Sequence, residues 1–129
     1  MEKIEIMVNQ EVKETGCGIA TFANACGIST FDVARNWMQS REFCKPNEFV
    51  TVPQMKSALE LKTGKRITLH NSVKFLSDNA VLFVEYEKNT NQRHWIYFQN
   101  GVFFDPLPWL SQGSNAIDYK VTRVLNIHS

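Results

Sequence analysis

Cys17 stands between two glycines, Gly16 and Gly18, and His94 and Asp105 lie on either side of an Asn100-Gly101 pair. A thiol, an imidazole and a carboxylate are the parts of a nucleophilic acyl-transfer site. The thiolate attacks a carbonyl carbon, the imidazole takes and returns the proton, and the carboxylate fixes the imidazole tautomer and stabilises the imidazolium. Glycines beside the sulfur let a substrate carbonyl approach closely. These residues are far apart in the chain, so the chemistry depends on elements that can bring them together.

The first such element is a helix. After a polar lead-in ending at Glu14-Thr15-Gly16, the segment Cys17 to Ala25 is rich in small and apolar residues, and Gly27 follows where a helix needs its terminal glycine. Cys17 therefore falls in the first turn of a buried helix. A thiol there sits in the positive end of the helix dipole, among peptide N–H groups without internal partners. With an imidazolium nearby, such surroundings favour the thiolate. The same N–H groups could hold the oxyanion of a tetrahedral intermediate, with the side-chain amide of Gln10 as a second donor.

The second element is a hairpin. Asn-Gly is the strongest short hairpin signal, because a type I′ turn needs positive φ at both central positions. With Asn100 and Gly101 as the loop, Gln99 faces Val102, Phe98 faces Phe103, Tyr97 faces Phe104 and Ile96 faces Asp105. Side chains alternate along a strand, so His94, Ile96, Phe98, Phe103 and Asp105 share one face. His94 and Asp105 become diagonal neighbours, roughly 7 Å apart at the backbone and within reach of each other's side chains.

The remaining segments give the setting. Ser29 and Asp32 form a variant capping box ahead of Phe31, Ala34, Trp37 and Met38, predicting a second helix to about Arg41. Thr51 and Gln54 repeat the signature, with Pro53 in the first turn, Met55 and Leu59 on one face and Gly64 as the stop. From Arg66 the pattern becomes strand-like: a short strand to Leu69, a helical turn over Ser72 to Leu76, an apolar central strand from Val81 to Tyr86, the hairpin from His94 to Asp105, and a last strand within Tyr119 to Ile127. In that last strand Val121, Arg123, Leu125 and Ile127 are expected to alternate with Thr122, Val124 and Asn126. The fold class expected is α+β, with N-terminal helices packed on a C-terminal antiparallel sheet.

Gly16-Cys17-Gly18-Ile19-Ala20 preceded by a Gln, then Gly27-Ile28-Ser29, and a late His94-Trp95-Ile96 leading to Asp105-Pro106 resemble the papain-like bacteriocin-processing (double-glycine leader) peptidase family over nearly the whole chain. The resemblance implies a papain-like cysteine proteinase fold, with Gln10 stabilising the oxyanion, Cys17 as nucleophile, His94 as general base and Asp105 as its orienter. It also implies a peptide or protein substrate. The chain departs from the family in having one residue more between Gln10 and Cys17 and a shorter interval from His94 to Asp105, which the tight Asn100-Gly101 turn accounts for.

Bulk properties narrow the alternatives. The 129 residues suit a single domain, 1–129, able to bury a core without staples. Lys plus Arg number 14 against 13 for Asp plus Glu, a net charge of +1, which does not mark a nucleic-acid binder. Apolar runs such as Val81 to Val84 are far shorter than the roughly 20 residues of a membrane span, and the acidic N-terminus does not read as a secretory signal, so a cytoplasmic location is expected. Three cysteines without a Cys-x-x-Cys pair argue against a disulfide framework and a zinc knuckle, and no metal or other cofactor is expected. Cys26 and Cys44 read as core thiols. Trp95, Phe98, Phe103 and Phe104 read as core or pocket wall, Trp109 as groove lining or packing, and His70 and His128 as surface residues. The expected activity is hydrolysis of a peptide or isopeptide bond through a Cys17 thioester. Glutamine deamidation or acyl transfer on the same triad, and a catalytically silent peptide-docking module, are the alternatives.

Overall fold

The computed structural model describes residues 17–45, 49–86, 89–105 and 119–129, and the expectations for Gln10 and Trp109 fall outside them. The described chain runs α1 (Cys17–Cys26), α2 (Phe31–Ser40), α3 (Val52–Thr63), β1 (Ile67–His70), a 3₁₀ turn (Val73–Phe75), β2 (Asn79–Tyr86), β3 (Asn89–Gln99), β4 (Val102–Phe104) and β5 (Tyr119–Ile127). Three helices thus precede a five-stranded antiparallel sheet of order β1-β5-β2-β3-β4, an α+β arrangement. No described helix is long and apolar enough to cross a membrane.

α1 is the innermost helix. Ile19, Ala20, Phe22 and Ala23 are buried, and Thr21 beside them satisfies its hydroxyl by donating to the Trp95 carbonyl oxygen at 2.9 Å. The helix ends where expected: Gly27 has φ +70, and the Ile28 N–H bonds back to the Ala23 carbonyl at 2.9 Å, the Schellman closure. α3 also matches its signature. Thr51 and Gln54 cap each other's backbone, Pro53 lies in the first turn, and Gly64 closes the helix in the left-handed conformation.

α2 departs from expectation. Its cap is Thr30, whose hydroxyl accepts from the Val33 N–H at 3.2 Å, rather than Ser29. Starting the helix at Phe31 places Phe31, Ala34 and Met38 together in the core. Asp32, no longer part of a capping pair, bonds to Arg35 at 2.7 Å.

Both faces of the sheet are apolar. Val81, Trp95, Tyr97, Phe104, Leu125 and Ile127 pack under the helices. Ala80, Leu82, Val84, Ile96, Phe98 and Val124 form a second cluster on the far face, joined by Phe103 and Val121. Val121 corrects the alternation expected for β5. Phe83 faces Arg123 but Val84 faces Val121, so Thr122 is an extra residue in the ladder and reverses the phase before it. Its hydroxyl donates to the Phe83 carbonyl at 3.0 Å. β3 also begins at Asn89, before His94, because polar residues 89–93 carry no alternation to announce a strand.

The hairpin has the expected register, with Gln99 opposite Val102, Phe98 opposite Phe103 and Tyr97 opposite Phe104. Asn100 and Gly101 have φ of 49° and 84°. A β-branched residue tolerates that region poorly, at a cost of about 1–2 kcal/mol. Gly101→Val is therefore expected to lower stability by about that amount in chemical denaturation, and more than the same change at a solvated strand position.

Candidate active site

His94 lies in β3 and Asp105 directly follows β4. Both are buried, at 3% and 6% exposure. Ile96 lies opposite the position of Asp105 when the hairpin register is continued, so His94 meets the carboxylate diagonally across the ladder. The His94 Nε2 to Asp105 Oδ1 distance is 2.6 Å, a short charge-assisted contact.

The partners decide the tautomer. An ionised carboxylate only accepts, so Nε2 carries the hydrogen and donates it to Asp105. Nδ1 is then the nitrogen that keeps the lone pair. A positive charge formed on the ring is compensated at once by the buried carboxylate.

β4 ends at Phe104, so at His94 the described ladder of β3 runs to β2 alone, through Val84. His94 shares the far face of the sheet with Val84 opposite it and Ile96 two residues on, whereas Trp95 between them points into the helix layer. The helix layer meets β3 there through Trp95, the next residue along. Trp95 is fully buried, its indole Nε1 donates to the Val50 carbonyl at 3.0 Å, and its own carbonyl accepts from Thr21. A Cβ placed on Gly18 would lie 2.8 Å from Val50 Cγ2 and 3.2 Å from Trp95 Cδ1. The first turn of α1 therefore rests directly on Trp95 and Val50, and only a glycine fits between them.

Cys17 is the first residue of α1, immediately before Gly18, and His94 is immediately before Trp95. The structure thus places the start of the cysteine helix against the residue next to the histidine, and joins the histidine to Asp105. Gln10 lies outside the described residues.

Cys26 and Cys44 behave as core thiols. Burial pushes the Cys26 thiol up to about 12, with nearby Lys62 offsetting only part of the effect, and burial also raises Cys44. Tyr97 is likewise pushed up to about 12 by burial, with Cys26 adding to the shift. His70 and His128, expected as surface residues, are half-buried and have partners. Both contact the Thr68 hydroxyl, at 3.1 Å and 2.7 Å, and His70 stacks on Phe75. Among the described residues no group of three or more His, Cys, Asp or Glu side chains is disposed to hold a metal ion.

Sequence reasoning missed Val50 and the bridging role of Trp95. A threonine inside an otherwise apolar helix, which needs a buried acceptor, was the one available signal, and it pointed to Thr21 without naming its partner. Comparison with known protein families finds no matching family model, and comparison with curated proteins finds no match.

Two measurements follow from this packing. Asp105→Ala strands the His94 Nε2–H in a buried site and is expected to cost about 1–3 kcal/mol, whereas Asp105→Asn keeps an accepting oxygen and should cost less. The buried acids predict alkaline weakening. Cys26 and Tyr97 hold their protons to about 12 when folded, against ordinary values of 9.0 and 10.0. The unfolded chain releases those protons first, so stability is full below pH 9 and falls as pH rises from about 9 to about 12. Denaturation midpoints measured across that range should show a shallower decline for Cys26→Ser, whose hydroxyl does not ionise.

Proposed function

We propose that this chain is a papain-like cysteine hydrolase that cleaves a peptide or isopeptide bond. The observation that carries the reading is the buried His94–Asp105 contact of 2.6 Å, on the strand whose next residue bears the first turn of the helix opened by Cys17. The papain-like architecture is proposed with it. Support comes from helices preceding an antiparallel sheet, a cysteine opening the buried helix, and the histidine and aspartate sharing one hairpin.

In this reading His94 Nδ1 takes the proton of the Cys17 thiol, and the thiolate sulfur forms a bond to the substrate carbonyl carbon. The carbonyl oxygen becomes an oxyanion facing the N–H groups of the first turn of α1, with the Gln10 amide as second donor. As the intermediate collapses, the C–N bond breaks and the imidazolium gives its proton to the departing amine. Water then attacks the thioester, His94 takes a proton from it, and the acid leaves as Cys17 regains its thiol. Asp105 holds Nε2–H throughout and compensates the imidazolium.

Cys17→Ala should fold with a near-native denaturation midpoint, His94→Ala should fold with a midpoint lowered by the buried Asp105 carboxylate it leaves behind, and each should lose on the order of 10³-fold or more of the hydrolysis rate. A peptide-aldehyde screen followed by intact-mass measurement is expected to show a single adduct on the unmodified chain and none on Cys17→Ala. Equal labelling of the two proteins, or unimpaired turnover by either variant, would remove the hydrolase reading.

A further inference from the structure

β1 is the terminal strand on its side of the sheet, and among the described residues its ladder runs to β5 alone. The His128 N–H bonds to the Arg66 carbonyl at 3.0 Å, and these positions continue the register in which Ile67 faces Ile127. Arg66 and His128 therefore form a hydrogen-bonded pair of the antiparallel ladder. Alternation then directs the backbone groups of Thr68 and His70 toward β5 and those of Ile67 and Leu69 outward. Two N–H and two C=O groups point to the outer edge, the template on which a further strand can pair, with Leu69 the open position and Ile67 only 3% exposed.

The two faces beside this edge differ. On the helix side, the Leu69 side chain is 45% exposed. On the other side, Arg66 has the same parity as Thr68 and His70, and the 3₁₀ turn brings Phe75 onto His70 with ring centres 5.0 Å apart. Lys74 Nζ lies 5.7 Å from the Phe75 ring centre. The turn is held rigidly: Asn126 on β5 donates to the Phe75 carbonyl at 2.7 Å and accepts from the Ser77 N–H at 3.1 Å. From Lys65 to Asn79 the chain carries Lys65, Arg66 and Lys74 against a single carboxylate, Asp78.

We propose that the outer edge of β1 is a docking site for an extended acidic segment of another protein, in which carboxylate and apolar side chains alternate. The segment adds to the sheet as a further strand through the outward groups of Ile67 and Leu69. Its carboxylates lie over Arg66 and Lys74, and its apolar side chains lie against Leu69. The charge argues against a second copy of this chain as the occupant, because β1 paired with β1 would bring two sets of Arg66 and Lys74 together. The site lies three strand spacings from β3, about 14 Å. It is separate from the His94–Asp105 pair and does not depend on the proposed hydrolysis.

The test uses two acetylated, amidated peptides of equal length, one alternating valine and glutamate and the other valine and lysine. Amide NMR spectra of the full chain are titrated with each. The glutamate peptide is expected to shift and protect the Ile67 and Leu69 amides saturably, with binding that weakens as salt is raised, and Cys17→Ala should bind it equally well. Reversing Arg66 and Lys74 to glutamate should weaken that binding roughly five- to tenfold or more and transfer preference to the lysine peptide. Leu69→Ala, which keeps the backbone edge, should weaken both variants' binding without changing their charge preference. Equal response to the two peptides, shifts confined to other strands, or sedimentation showing a dimer that protects the same amides would overturn the proposal.

Discussion

Two residues with left-handed backbone, Asn100 and Gly101, decide which side chains of this molecule meet. A two-residue loop fixes the pairing of β3 with β4, and a shift of one residue would send every side chain of one strand to the opposite face. The observed register carries Asp105 onto the face of His94, Ile96 and Phe103. The carboxylate meets the imidazole diagonally across the ladder, at 2.6 Å. Placing both groups out of water would be costly for either alone, and is tolerable because each satisfies the other.

A second constraint holds the helix layer on the opposite face of β3. Trp95 fills the space under α1, bonds to Val50 through its indole, and receives the Thr21 hydroxyl on its carbonyl. Because Gly18 lies where any Cβ would collide with Val50, the close approach of α1 requires glycine for space alone, since no positive φ is involved there. The interior also separates the thiols. Cys26 and Cys44 are held protonated by burial, which suppresses nucleophilicity at neutral pH, whereas a residue opening a helix meets unpaired peptide N–H groups.

The parts legible in the sequence are those where local chemistry has few solutions. A left-handed turn needs Asn-Gly, a helix stop needs glycine as at Gly27 and Gly64, and the Thr51–Gln54 pair has one good use. The His94–Asp105 meeting followed from such a turn by counting. The cap of α2 was ambiguous because Ser29 and Thr30 are adjacent and chemically equivalent, and only the packing of Phe31, Ala34 and Met38 selects the second. The Thr122 bulge was illegible for a related reason: β5 has apolar residues at both parities, so alternation alone cannot locate an extra residue. The Val50 contact is a backbone carbonyl receiving an indole from a distant strand, and no side-chain pattern encodes it.

The sheet's two ends solve opposite physical problems. At the β3–β4 end, where the described ladder stops at Phe104, an ionisable residue is turned inward and hydrogen-bonded to a buried histidine. At the β1 end the cations are turned outward, beside backbone groups that β5 leaves over. An unpaired edge invites association with copies of itself, and like charges along it oppose that encounter without hindering an oppositely charged strand. The same sheet therefore buries an ionisable pair at one end and leaves cations exposed at the other. These demands do not compete, because β5 and β2 stand between them with apolar side chains packed on both faces.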